Sequence, residues 1–135
     1  MFHLAFPVRN LQESRTFYET VFNCKPGRIN ERWLDLYFFG HQLTLHERPD
    51  QVLPAEEQGV RHFGMVLEWE AWEIICKRLQ AQGVPVVLGP EISHLGKPQE
   101  KGKLFLRDPD HNGIELKSYR YPSEALKLPQ DIEKV

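Results

Sequence analysis

Residues 62–67, HFGMVL, repeat the pattern of residues 3–8, HLAFPV, at an offset of 59 residues. In the earlier stretch Phe2, Leu4, Phe6 and Val8 share one face, and His3, Ala5 and Pro7 share the other. In the later one Phe63, Met65 and Leu67 oppose His62, Gly64 and Val66. Strict alternation of this kind predicts a strand with one packed face. Each strand runs into an amphipathic helix. Asn10 stands as an N-cap with Glu13 three residues on, and Leu11, Phe17, Tyr18, Val21 and Phe22 form an apolar stripe to Phe22. From Trp69 to Gln82 the stripe is Trp72, Ile75, Cys76 and Leu79, closed by Gly83.

Strands complete each unit. In the first, Pro26-Gly27 ends the helical unit and residues 28–30 are read as a short strand. Trp33 to Phe39 and His41 to Arg48 then form a hairpin about Gly40. In the second, residues 84–88, 103–107 and 114–119 are strands, the last two joined by the turn DPDHNG. Residues 89–101 are read as a Gly/Pro-rich loop and a candidate lid carrying His94 and Lys97. The order strand, helix, strand, strand, strand thus occurs twice. Modules 1–48 and 60–120, joined by a polar linker at 49–59, are expected to build one domain over residues 1–120. Neither half buries enough surface alone. Residues 121–135 form a tail of weak helical character. The expected class is α+β: two βαβββ modules forming a curled, cup-like mixed β-sheet flanked by helices.

Composition narrows the functions. The 135 residues carry 17 Lys+Arg against 19 Asp+Glu, a formal net charge of −2, which argues against nucleic acid as a partner. With 41% hydrophobic and 27% charged residues the chain is globular rather than disordered. No apolar run reaches the roughly 20 residues of a membrane helix, so no membrane partner is expected. MFHLAFPVRNLQES has no basic stretch ahead of an apolar core, so no leader is expected there. Cys24 and Cys76 are far apart and form no CxxC, which fits a reducing cytoplasm.

The chemistry lies on the faces turned from the helices. His3 and His62 hold equivalent positions of the repeat. In the last strand Glu115, Lys117 and Tyr119 alternate with Ile114 and Leu116, which belong on the helix side. Two imidazoles and a carboxylate at matching inward positions make a facial N, N, O set for a divalent first-row metal, with open positions for substrate or dioxygen. Glu115 could instead pair with Lys117 or Arg107. Tyr37, Phe105 and Tyr119 line the cup, with Asp35, Gln42, His46 and Lys117 as polar points, a lining suited to a small planar or aromatic ligand. His111 reads as a turn residue.

The chain resembles the vicinal oxygen chelate superfamily, which groups glyoxalase I, extradiol dioxygenases, fosfomycin-resistance transferases and bleomycin-resistance proteins. The carriers are FHLAFPVRNLQESRTFYETVF, RHFGMVL and FLRDPDHNGIELKSY, spanning about residues 2–119. The resemblance implies paired βαβββ modules and places the family's metal ligands on His3, His62 and Glu115. It implies one divalent metal per chain, Fe²⁺ favoured, with Mn²⁺, Ni²⁺ or Zn²⁺ as alternatives. Glyoxalase-type members add a fourth ligand in the fourth strand, which falls here on Thr44, a poor ligand; His46 lies two residues on. The expected function is metal-dependent chemistry on a small molecule chelated through two oxygens. Extradiol-dioxygenase-like oxygen chemistry is favoured, with His46 or Tyr119 as the acid-base group and Tyr37, Gln42, Thr44, Phe105 and Lys117 contacting substrate. The alternatives are a glyoxalase-type lyase or isomerase, a fosfomycin-type thiol transferase, and a small-molecule sequestering protein. A homodimer is expected.

Overall fold

The computed structural model describes residues 1–129. Two compact units emerge among the described residues, residues 1–61 with 108–112, and residues 62–107 with 113–129. Both repeat the βαβββ order expected from the sequence.

The first unit contains β1 (His3–Val8), α1 (Leu11–Phe22), β2 (Lys25–Ile29), β3 (Trp33–Phe38) and β4 (His41–Glu47). Its sheet has the order β1-β4-β3-β2, with β1 parallel to β4 and the other pairs antiparallel. The helix starts where Asn10 predicts: its side chain accepts from the Glu13 amide at 2.8 Å, satisfying one orphan N–H. Asn23, at φ 56°, ends it in the left-handed region. Tyr18, Leu36 and Leu45 are fully buried between helix and sheet, and Phe22 meets Phe38 edge to face at 5.2 Å. The linker at 49–59 is anchored rather than loose. It holds two short 3₁₀ turns, and Nε2 of buried Gln58 donates to the Leu53 carbonyl at 3.0 Å.

Residues 108–112 of the DPDHNG turn pack within this first unit. Asp108 accepts from the Tyr18 hydroxyl at 2.7 Å and from the amides of Asp110 and Asn112 at 2.9 Å each. Asp110 accepts from Arg9 Nη1 at 3.0 Å. His111 sits at φ 66°, a turn conformation as expected.

The second unit contains β5 (His62–Leu67), α2 (Trp69–Ala81), β6 (Leu88–Ser93), β7 (Lys101–Arg107) and β8 (Gly113–Tyr119). The sheet order β5-β8-β7-β6 repeats that of the first unit. Trp72 anchors α2, its Nε1 donating to the Leu116 carbonyl at 3.0 Å. Ile114 and Leu116 are fully buried, on the helix side as read. A one-turn helix, α3 (Pro122–Ala125), begins the tail; residues 130–135 lie outside the described residues.

Four strands differ from the sequence reading by only one or two residues at one end, and two strands differ more, for one reason. β6 covers Leu88–Ser93 rather than 84–88, so the expected loop at 89–101 is strand over residues 89–93 and again at Lys101. β2 covers Lys25–Ile29, running through the Pro26-Gly27 pair read as a break. Both are edge strands, and each carries a register shift, at Leu88/Glu91 and at Pro26/Ile29. An edge strand tolerates proline and glycine because one side of its backbone needs no ladder partner.

Candidate functional site

The strand registers decide which side chains meet. In the second unit β5 and β8 run parallel, with Gly64 opposite Glu115. A Cβ on Gly64 would stand 1.7 Å from the Glu115 carbonyl oxygen, so only glycine lets the strands approach here. His62 lies two residues before Gly64, on the same face. Its Nε2 reaches Oε2 of Glu115 at 3.0 Å.

Glu115 is nearly covered, with 7% of its surface exposed, whereas the His62 side chain is 42% exposed. A carboxylate out of water requires compensation, and three cationic or donor groups supply it. Besides His62, Nζ of Lys103 lies 3.7 Å from Oε1 and Nζ of Lys117 lies 3.7 Å from Oε2. Lys117 is one of the partners weighed for Glu115 from the sequence; Arg107 instead stacks its guanidinium over Phe105, 5.4 Å from the ring centroid. Phe105 pairs with Glu115 in register, and its ring meets that of His62 in a T-shaped contact at 5.8 Å between centroids. A cavity of about 220 Å³ opens here, lined by His62, Met65, Val66, Glu115 and Lys117 among others. Tyr119 stands four residues along β8 from Glu115, about 13 Å at strand rise.

The equivalent face of the first unit is built differently. Thr44 holds the place of Glu115, opposite Ala5, and Asp35 stands opposite Thr44. Asp35 is fully buried. Its Oδ1 accepts from the Thr44 hydroxyl at 2.7 Å; its Oδ2 accepts from Arg28 Nε at 2.8 Å and Gln42 Nε2 at 3.3 Å. Burial alone would raise the Asp35 pKa, but the Thr44 hydrogen bond, the Arg28 guanidinium and nearby His3 together hold it below the ordinary value. The Thr44 hydroxyl, expected to touch substrate, is thus engaged with Asp35. His3 stands opposite Gln42 in register, and Tyr37 is exposed beside it on β3. His46 lines a separate cavity of about 250 Å³ with Ala5, Pro7 and Arg48.

Of the three ligands expected from the sequence, His62 and Glu115 are brought into contact within one unit. His3 belongs to the other unit. Among the described residues no three His, Cys, Asp or Glu side chains come together as a metal-holding group. The His62–Glu115 pair itself fits a divalent cation. Imidazole nitrogen and carboxylate oxygen both suit first-row metals, and two atoms sharing an ion at about 2.1 Å in adjacent positions stand about 3 Å apart. The cysteines offer no thiolate at neutral pH: burial pushes the Cys24 thiol up to about 12 and the Cys76 thiol to about 11.

Two contributors escaped the sequence reading. Lys103 alternates with Leu104 and Leu106, so its place beside Phe105 on the inner face was legible. Arg28 lies inside the β2 register shift, where alternation carries no face information.

Comparisons with known proteins agree with this architecture. A solved glyoxalase/bleomycin resistance protein/dioxygenase from Alicyclobacillus acidocaldarius superposes with a TM-score of 0.79 at 32% identity, covering 89% of this chain and 91% of that one. Virulence protein STM3117 of Salmonella typhimurium is 25% identical over 120 residues, 87% of this chain and 82% of that protein. Metallothiol transferase FosB of Shouchella clausii is 25% identical over 115 residues, 84% of this chain and 76% of that protein. The family profile matches residues 1–116, and the chain belongs to the Glyoxalase/Bleomycin resistance protein/Dioxygenase superfamily.

Proposed function

We propose that this protein is a metal-dependent enzyme that binds a small, oxyanion-bearing substrate against His62 and Glu115 and catalyses addition or group transfer to it. One observation carries the reading: the buried Glu115 carboxylate meets His62 at 3.0 Å while two lysine ammoniums stand 3.7 Å away. A carboxylate and an imidazole suit a cation, and the surplus positive charge suits an anion arriving with it. The likeness to a protein named metallothiol transferase points the same way.

His62 and Glu115 would hold the metal, with His3 as the third ligand, from the same chain or from a second copy. A homodimer is part of the proposal. When bound, the metal supplies Lewis-acid polarisation of a chelated substrate oxygen. The chain's residues do the rest. Lys103 and Lys117 offset negative charge that grows on the substrate oxygen, and their ammonium protons can be donated to it. Phe105, its ring centroid 5.8 Å from that of His62, narrows the site. Tyr119 stands four residues along β8 from Glu115, too far to exchange a proton with it directly, and His46 on the first unit is the proposed acid-base group.

A second reading, ring-cleaving oxygen chemistry on Fe²⁺, draws on the Phe105 ring beside His62, an aromatic wall for a planar substrate. Reconstitution with each of Fe²⁺, Mn²⁺, Ni²⁺ and Zn²⁺ separates the two. Turnover of an epoxide or aldehyde with a thiol is the expected result. Oxygen uptake with a catechol, and none with thiol, would select the second reading instead.

A further inference from the structure

The geometry points to Arg28 as a pre-organised oxyanion-binding residue on the inner face of the first unit, engaging the carboxylate, phosphonate or phosphate group of the substrate. The inference deepens the proposed function, and rests on it only in treating the bound anion as substrate.

The Arg28 side chain is 73% exposed, a setting in which arginine ordinarily samples many rotamers. Here three features hold it. Its Nε donates to Oδ2 of buried Asp35 at 2.8 Å. Its guanidinium stacks over the Trp33 ring, 5.2 Å from the centroid. Its backbone rides on the β2 irregularity that Gly27 permits. A Cβ on Gly27 would stand 2.9 Å from the Tyr37 ring and 3.2 Å from the Asp35 Cβ, so glycine lets β2 close down on β3. The Asp35 anchor is itself fixed from the other side by Thr44 and Gln42.

With Nε engaged, the outer edge of the fork remains. Among the described residues neither Nη1 nor Nη2 of Arg28 donates a hydrogen bond. Two parallel N–H groups match two oxygens of one oxyanion, and a held fork loses little entropy on binding. Because Asp35 balances the charge, Arg28 contributes directed hydrogen bonds more than net attraction. His3 stands opposite Gln42, whose Nε2 donates to Asp35, so Arg28 and the third proposed ligand serve one face.

The test is a titration of full-length protein with inorganic phosphate, and separately with acetate, read by tryptophan fluorescence. Saturable change is expected for at least one anion, since Trp33 contacts the arginine. The affinity should fall about tenfold in Arg28→Lys, which keeps the charge and loses the fork. A readout needing no variant is the Arg28 Nε–Hε NMR resonance of the wild type, which should shift saturably with the same anion. Lys77→Ala, which removes an exposed cation on α2 outside both sites, should leave the titration unchanged. The proposal is overturned if neither anion shifts that resonance, or if the affinity is unchanged in Arg28→Lys. Binding lost in His62→Ala but kept in Arg28→Lys would place the anion at the metal ligands, overturning this inference and leaving the metal reading standing. Anion binding at Arg28 in a protein that takes up no metal would do the reverse.

Discussion

Nε2 of His62 stands 3.0 Å from Oε2 of Glu115, across two parallel strands whose approach is set by Gly64. The contact comes from register: His62 is two residues before Gly64, Glu115 faces Gly64, and both side chains leave the sheet on the side away from α2. Anything that alters the β5–β8 spacing therefore alters the site.

Gly64→Ala tests that dependence. The new methyl would overlap the Glu115 carbonyl, and the strands must part. A loss of about 3 kcal/mol in stability is expected, at the upper end for overpacking. Chemical denaturation checks it, and an unchanged midpoint would mean that the strands are not held this close.

Lys103→Met tests the electrostatics. An ammonium 3.7 Å from the carboxylate competes with a divalent cation for the same charge. Removing it should tighten metal binding by roughly three- to tenfold at neutral pH. Calorimetric titration with Mn²⁺ reads the change. Weaker binding would show that Lys103 supports the metal rather than competing with it.

Asp35→Asn separates pH dependence from packing. The folded-state pKa of Asp35 is lowered, so the charge contributes stability above the ordinary value near 3.8 and loses it as pH falls through the lower, folded value. The variant should be less stable at neutral pH by about 1–3 kcal/mol, because Arg28 and Thr44 lose a charged acceptor. Its stability should also fall less steeply than the wild type's between about pH 5 and about pH 3. Urea unfolding across that range measures both.

Thiol reactivity checks the burial of the two cysteines. With Cys24 and Cys76 pushed up to about 12 and about 11, neither should react appreciably with a disulfide reagent at neutral pH in the folded protein. Both should react after unfolding. Fast labelling of either in the native state would contradict the packing of α1 or α2.

Much of this was legible from residue order, because period and repeat are local signals. The alternation at His3–Val8 and His62–Leu67, the Asn10 cap and the stripe through Trp72, Cys76 and Leu79 each announce an element without tertiary help. The face of Glu115 followed from the same alternation. What was not legible is where alternation fails. The bulged edge strands at Lys25–Ile29 and Leu88–Ser93 contain Pro and Gly and read as breaks, so Arg28 had no assignable face. The Asp35–Thr44–Arg28 cluster also depends on cross-strand register, which a single strand's pattern does not contain. The docking of the DPDHNG turn through Tyr18 and Asp108 is another contact of this kind, between residues 90 positions apart.

The central claim is that His62 and Glu115 hold a divalent metal. The direct test is elemental analysis, for iron, manganese, nickel and zinc together, of protein purified without chelator or nickel resin, with His62→Ala and Glu115→Gln beside the wild type. The account predicts close to one equivalent per chain in the wild type, or after reconstitution, and loss of that metal in both variants. Full occupancy in either variant, or a wild type that takes up no metal on addition, would contradict it.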